Sequence, residues 1–145
     1  MIGEMIDIDR LASCDQTVLQ SLAPHERVET WPAGKVLFRE GESPNGVYVL
    51  LSGEVDLVFS SRGGLAKPLR VVAAGQVLGL SCVVSGRLHD CSATTRSQCV
   101  TGFVVRDRLA RLLEENPRLW FSVLQTLSSE INSCYECMRS LSAAR

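Results

Sequence analysis

Between Trp31 and Val105 the chain strings together short β-branched and aliphatic runs, at residues 35–38, 47–51, 54–59, 69–73, 92–95 and 100–105. Gly34, Gly41, Gly46, Gly53, Gly75 and Gly79 stand at or beside the breaks, where a turn needs positive φ or a close backbone approach. Short strands at such even spacing predict a small barrel or jelly roll. The last segment changes period. Trp120, Leu124, Leu127, Ile131, Cys134, Met138 and Leu141 are spaced 4, 3, 4, 3, 4, 3, the a/d stripe of a coiled coil. The expectation is therefore a β roll over residues 1–116, with an N-terminal helical segment, and a dimerisation helix over 117–145.

The joints between these parts carry local signals. Ser13 followed by Gln16 is a capping-box pair, and Val18, Leu19 and Leu22 give one apolar face to a short helix ending before Pro24. Strands are expected from about Arg27. Two apolar runs meet at Ser52-Gly53, a hairpin signal, and residues 62–68 read as a surface loop. Residues 106–115 form a helix with Leu109, Leu112 and Leu113 on one side. Asn116 can cap the next helix, and Pro117 fits its first turn because the missing N–H costs nothing there. On that helix the seam residues face a second copy, while Phe121 and Val123 are free to face the roll.

Charge and composition exclude several classes. Net charge is −1, with Lys and Arg scattered, so nothing here resembles a nucleic-acid footprint; DNA would be touched only through a domain not in this chain. No apolar run approaches the ~20 residues of a membrane span, and the start lacks a basic, then apolar, signal segment. A cytoplasmic protein without a membrane partner is expected. Cys14, Cys82, Cys91, Cys99, Cys134 and Cys137 then read as packed thiols rather than a disulfide frame. An enzyme on a β roll, such as a cupin-type metal enzyme, needs clustered His and carboxylate ligands. His25 and His89 lie far apart, so neither catalytic nor metal-ligating residues are assigned, and the sequence names no cofactor.

Trp31-Pro-Ala-Gly-Lys-Val-Leu-Phe-Arg-Glu-Gly-Glu42, residues 47–58, Gly75-Gln-Val-Leu-Gly79 and Leu112-Leu-Glu-Glu-Asn-Pro117 resemble the effector domain of the CRP/FNR superfamily of bacterial transcription regulators. The resemblance runs from about residue 10 to 141. It implies a double-stranded β-helix of the cyclic-nucleotide-binding type, a long helix that makes a parallel homodimer, and a helix-turn-helix domain beyond it. The chain stops at Arg145 without one, so a cut effector domain is expected, with a free-standing module that regulates a partner protein as the alternative.

In that family a glutamate and an arginine of the phosphate cassette grip a cyclic nucleotide. Aligned on Gly79 and Ser92-Ala93, this chain carries Leu80 in place of the glutamate and Cys91 in place of the arginine. Gly79, Leu80, Ser81, Cys91 and Ser92 make up a degenerate cassette, and Cys134 and Tyr135 match helix positions that resemble the family's contacts to the base. At roughly 1.5–3 kcal/mol per charge-assisted hydrogen bond, losing both grips weakens cyclic AMP binding by about two to four decades. Arg70, Arg87 and His89 remain as cations from other directions, with Arg87 and His89 expected on a solvated loop. The stretch 75–86 looks closer to the FNR side, but Cys14 alone does not supply that group's cluster ligands. Cys134 and Cys137, at d and g of the heptad, would bring four sulfurs together in a parallel dimer; the simpler reading is a small apolar seam residue beside a bystander.

Overall fold

The computed structural model describes residues 16–60 and 66–128. Helix α1 (Gln16–Leu22) runs into a 3-10 turn (Ala23–His25) and then into strands β1 (Arg27–Trp31), β2 (Val36–Phe38), β3 (Gly46–Ser52), β4 (Val55–Ser60), β5 (Ala66–Val72) and β6 (Val77–Leu78). Helix α2 (Leu80–Ser85), β7 (Ser92–Thr95), β8 (Cys99–Val105) and α3 (Arg106–Glu115) follow. Residues 117–128 form a further helix, α4. The strands form two antiparallel four-stranded sheets, ordered β1-β8-β3-β6 and β2-β7-β4-β5. This is the jelly roll with flanking helices that the glycine rhythm predicts.

Three layers result, and β3 shows how. Successive strand residues point to opposite faces. Val47 and Val49 therefore enter a core shared with the helices, formed with Val18 and Leu22 of α1, Leu80 of α2, Leu109 of α3, and Leu119 and Val123 of α4. Leu50, with Tyr48 packed beside it, enters a second core between the sheets, with Leu37, Phe38, Val55, Val72, Leu78 and Ala93. A strand covered on both faces reads as an unbroken apolar run, which is why 47–50 shows no alternation.

Two local expectations fail for topological reasons. Ser52-Gly53 is not a hairpin: β3 pairs with β8 and β6, whereas β4 pairs with β5 and β7. The turn is a corner where the chain crosses from one sheet to the other. It is held by the neighbouring corner, with Glu54 N–H donating to Ser97 Oγ at 3.1 Å and Arg96 N–H to Glu54 O at 2.8 Å. A Cβ on Gly53 would meet the Gln98 carbonyl and Cys99, so close approach as well as its φ of 92° demands glycine. Residues 66–68, expected in a loop, open β5 instead, with Pro68 opposite Val58. β5 is an edge strand with a register shift at that point, where proline's lack of a donor is tolerated.

Helix α4 starts as its cap residues predict. Asn116 Oδ1 accepts the N–H groups of Arg118 at 3.1 Å and Leu119 at 3.2 Å. Leu119, Ser122, Val123 and Thr126 face inward, one stripe at i, i+3, i+4 and i+7. Val123 therefore faces the roll, but Phe121 does not: it is 62% exposed. One residue before Ser122 on a 100° wheel, it is turned out toward Trp120 and Leu124.

Candidate functional site

The degenerate cassette sits where β6 leaves the first sheet. Gly79 takes φ 84° and opens α2. A Cβ there would lie 3.2 Å from His89 Cε1, so a side chain would be both strained and crowded. Leu80, standing where the family carries its glutamate, is 1% exposed and belongs to the helix-side core. It points away from the space between the sheets. The first turn of α2 thus buries an apolar residue in a core that α3 and α4 share.

Ser81 is half-buried, and its carbonyl accepts the Ser85 hydroxyl at 2.7 Å. Ser85 Oγ in turn accepts from Arg87 Nε at 2.9 Å. Arg87 is thus held at the exposed end of α2. Ser92 Oγ accepts the Glu40 N–H at 2.9 Å, and Cys91 packs half-buried against the inter-sheet core.

His89 departs from its expected solvated loop. It is 5% exposed and stacks on Phe38, with ring centroids 3.8 Å apart and planes 12° from parallel. Its N–H donates to Glu42 O at 2.9 Å and its carbonyl accepts from Gly41 at 2.8 Å, so the backbone fixes it on both sides. Burial lowers its pKa, against the opposing pull of Glu42 and Asp90. The ring is therefore neutral near pH 7 and supplies no charge to the site. Phe38 continues to Tyr48 at 6.3 Å, and Tyr48 to Phe103 at 4.8 Å. No sequence periodicity distinguishes His89 from the polar residues flanking it; only the return of 87–91 over β2 buries it.

Arg70 lies on the inner face of β5. Val55 opposes Val72 and Leu57 opposes Arg70. Val55 and Val72 fill the inter-sheet core and Leu57 packs against it, while Val71, one residue away, is exposed. Two residues before Val72, Arg70 shares its face.

On the helix side, an open groove of about 440 Å³ is lined by Val83 and Val84 of α2, Leu109 and Leu113 of α3, and Pro117 and Trp120 of α4, with Arg106 and Glu114 at its polar edge. Of the dimer seam, Trp120 is 39% and Leu124 54% exposed, whereas Leu127 packs partly on the chain's own core. Ile131, Cys134, Tyr135, Cys137, Met138 and Leu141, like Ser13 and Cys14, lie outside the described residues. Among the described residues no three His, Cys, Asp or Glu side chains converge as a metal would require, and no helix is long and apolar enough to cross a membrane.

The family model for the cyclic nucleotide-binding domain matches residues 28–116. No curated protein sequence matches. Among solved structures, a cyclic nucleotide-binding domain from Methylobacillus flagellatus is similar at a TM-score of 0.77 and 18% identity, covering 99% of this chain and 85% of that one. The catabolite activator protein of Thermus thermophilus is similar at 0.74 and 19%, over 89% of this chain and 60% of its own. The c-di-GMP-responsive global regulator CLP of Xanthomonas campestris follows at 0.71 and 19%, over 84% and 62%. The chain thus spans about three-fifths of the length of those two regulators.

Proposed function

The chain belongs to the cyclic nucleotide-binding domain family, and from that premise we propose that it is the sensory and dimerisation domain of a CRP/FNR-type transcription regulator. The signal is a small-molecule effector or a redox change. It passes through the terminal helix to a DNA-binding domain not among these 145 residues. The observation that carries this reading is one shared core: Leu80 of the cassette helix packs with Leu119 and Val123 of α4. A ligand that shifts α2 must repack α4, and a packed core has discrete arrangements rather than a continuum.

Opposite that buried stripe, Trp120, Phe121 and Leu124 leave an apolar face uncovered, and the heptad continues it in the sequence. A second copy covers it in a parallel homodimer. The mass of the protein by analytical ultracentrifugation tests this: a dimer is expected at micromolar concentration, and a monomer for Leu124→Asp. A monomeric parent protein would refute it.

Cyclic AMP is not the effector in this reading. Leu80 is committed to packing and Cys91 offers no charge, so no thermal stabilisation is expected at micromolar cyclic AMP. For the redox route, Cys134 and Cys137 fall at seam positions by sequence count; an intersubunit bond on a non-reducing gel after oxidation is the observation that supports it.

A further inference from the structure

The groove between α2, α3 and α4 opens onto the face of α4 that the heptad assigns to a second copy. Counting back from d at Cys134 puts Pro117 and Leu124 at a, Trp120 at d, Phe121 at e, and Asn116 and Val123 at g. Pro117 and Trp120 line the groove, while Val123 is buried in the chain's own core. The g side of the seam therefore faces the roll and the groove, and the e side points away from both. Phe121, on that far side, is 62% exposed, so its own chain gives the ring little cover. In a parallel pair the e residues of one helix lie beside the g residues of the other. Joining the two seams thus brings the partner's Phe121 to the Asn116–Pro117 joint, at the mouth of the groove.

We propose that each copy's Phe121 docks in the other copy's groove, against Val83 and Val84 of α2, Leu113 of α3, and Pro117 and Trp120 of α4. At about 440 Å³ the groove has room for one aromatic side chain, and its lining is mostly apolar. It is continuous with the seam, because Trp120 belongs to both. A buried aromatic covers about 150–250 Å², a substantial share of the roughly 800 Å² per partner in a standard interface. Two-fold symmetry makes the contact twice. Val83 and Val84 stand on the helix whose Leu80 packs with α4, so a shift of α2 in one protomer changes its hold on the partner's ring and links the two sensors. The proposal rests on the dimer reading and specifies which surface, beside the seam, completes it.

Sedimentation equilibrium of the full chain, of Phe121→Ala and of Ala110→Arg tests it. Ala110 lines the groove and is exposed, so Ala110→Arg fills the space without entering the core. Each variant is expected to raise the dimer dissociation constant roughly tenfold or more, as loss of a central interface aromatic does. A second readout places p-benzoylphenylalanine at position 121, in dimers mixed from isotope-labelled and unlabelled copies. Its photo-cross-link is expected to reach residues 80–85 or 106–117 of the other copy. The proposal is overturned if the parent is dimeric and either variant dimerises with unchanged affinity. It is overturned equally if the cross-link stays within one chain or reaches only the part of α4 beyond Trp120. Those results leave the dimer reading standing, whereas a monomeric parent refutes that reading and this contact with it.

Discussion

Three side chains, two of them with roles that differ from their sequence appearance, set the local chemistry of this domain. His89 is the first. Its folded-state pKa is lowered, so below the ordinary value near 6.5 the unfolded chain takes up a proton that the folded chain resists. This contribution to stability is complete at neutral pH and falls as pH drops through 6.5 toward the lower folded value. The melting temperature is expected to decline between pH 7.5 and 5.5, and Phe in place of His89, which keeps a ring on Phe38, is expected to flatten that decline. Asn116 is the second, holding two N–H groups of α4 through its Oδ1. Asn116→Ala is expected to cost about 0.5–2 kcal/mol, read as a lower denaturation midpoint with an unchanged slope. Asn116 was legible as a cap because caps are local; His89 was not, because its environment is made by β2. Leu80, the third, matters through the helix it belongs to.

At the scale of elements, α2 is seated in the helix-side core through Leu80. Restoring the family's glutamate tests this. Leu80→Glu places a carboxylate among Leu109, Leu119 and Val123, so it is expected to destabilise the fold by several kcal/mol without conferring cyclic AMP binding; Leu80→Ala is expected to cost about 2–5 kcal/mol. Circular dichroism melts and titration with cyclic AMP separate the two effects. Helix α4 shows the limit of periodic reasoning. Of the heptad positions, Trp120 and Leu124 are exposed while Leu127 drifts toward the chain's own core, and Phe121, off the heptad, turns out. A straight helix drifts about 20° per heptad from a strict 3.5-residue repeat, so a stripe read from sequence blurs at its edges.

On the scale of the whole molecule, two cores divide the labour. The inter-sheet core holds Phe38, Ala93 and Leu57, with Arg70 at its rim, while the helix-side core joins α2 to α4. If α4 dimerises as proposed, dimerisation stabilises the folded state by mass action, and the melting temperature rises with protein concentration. Leu124→Asp is expected to abolish that dependence. The exposure of Leu124 predicts a change within about 0.5 kcal/mol in the stability of the monomer itself, so mass and stability are read separately.

By itself the sequence determined the elements: short strands cut by glycines, helices bounded by Pro24, Asn116 and Pro117, and the apolar repeat of the last segment. These are local, since backbone conformation, capping and side-chain period act within a few residues. Tertiary structure alone decided that Gly53 turns a corner between sheets rather than a hairpin, that Leu80 faces the helices, and that His89 is buried on Phe38. Each of those depends on which strands pair across tens of residues, and pairing is settled by the burial of whole faces, a quantity no short window of sequence contains.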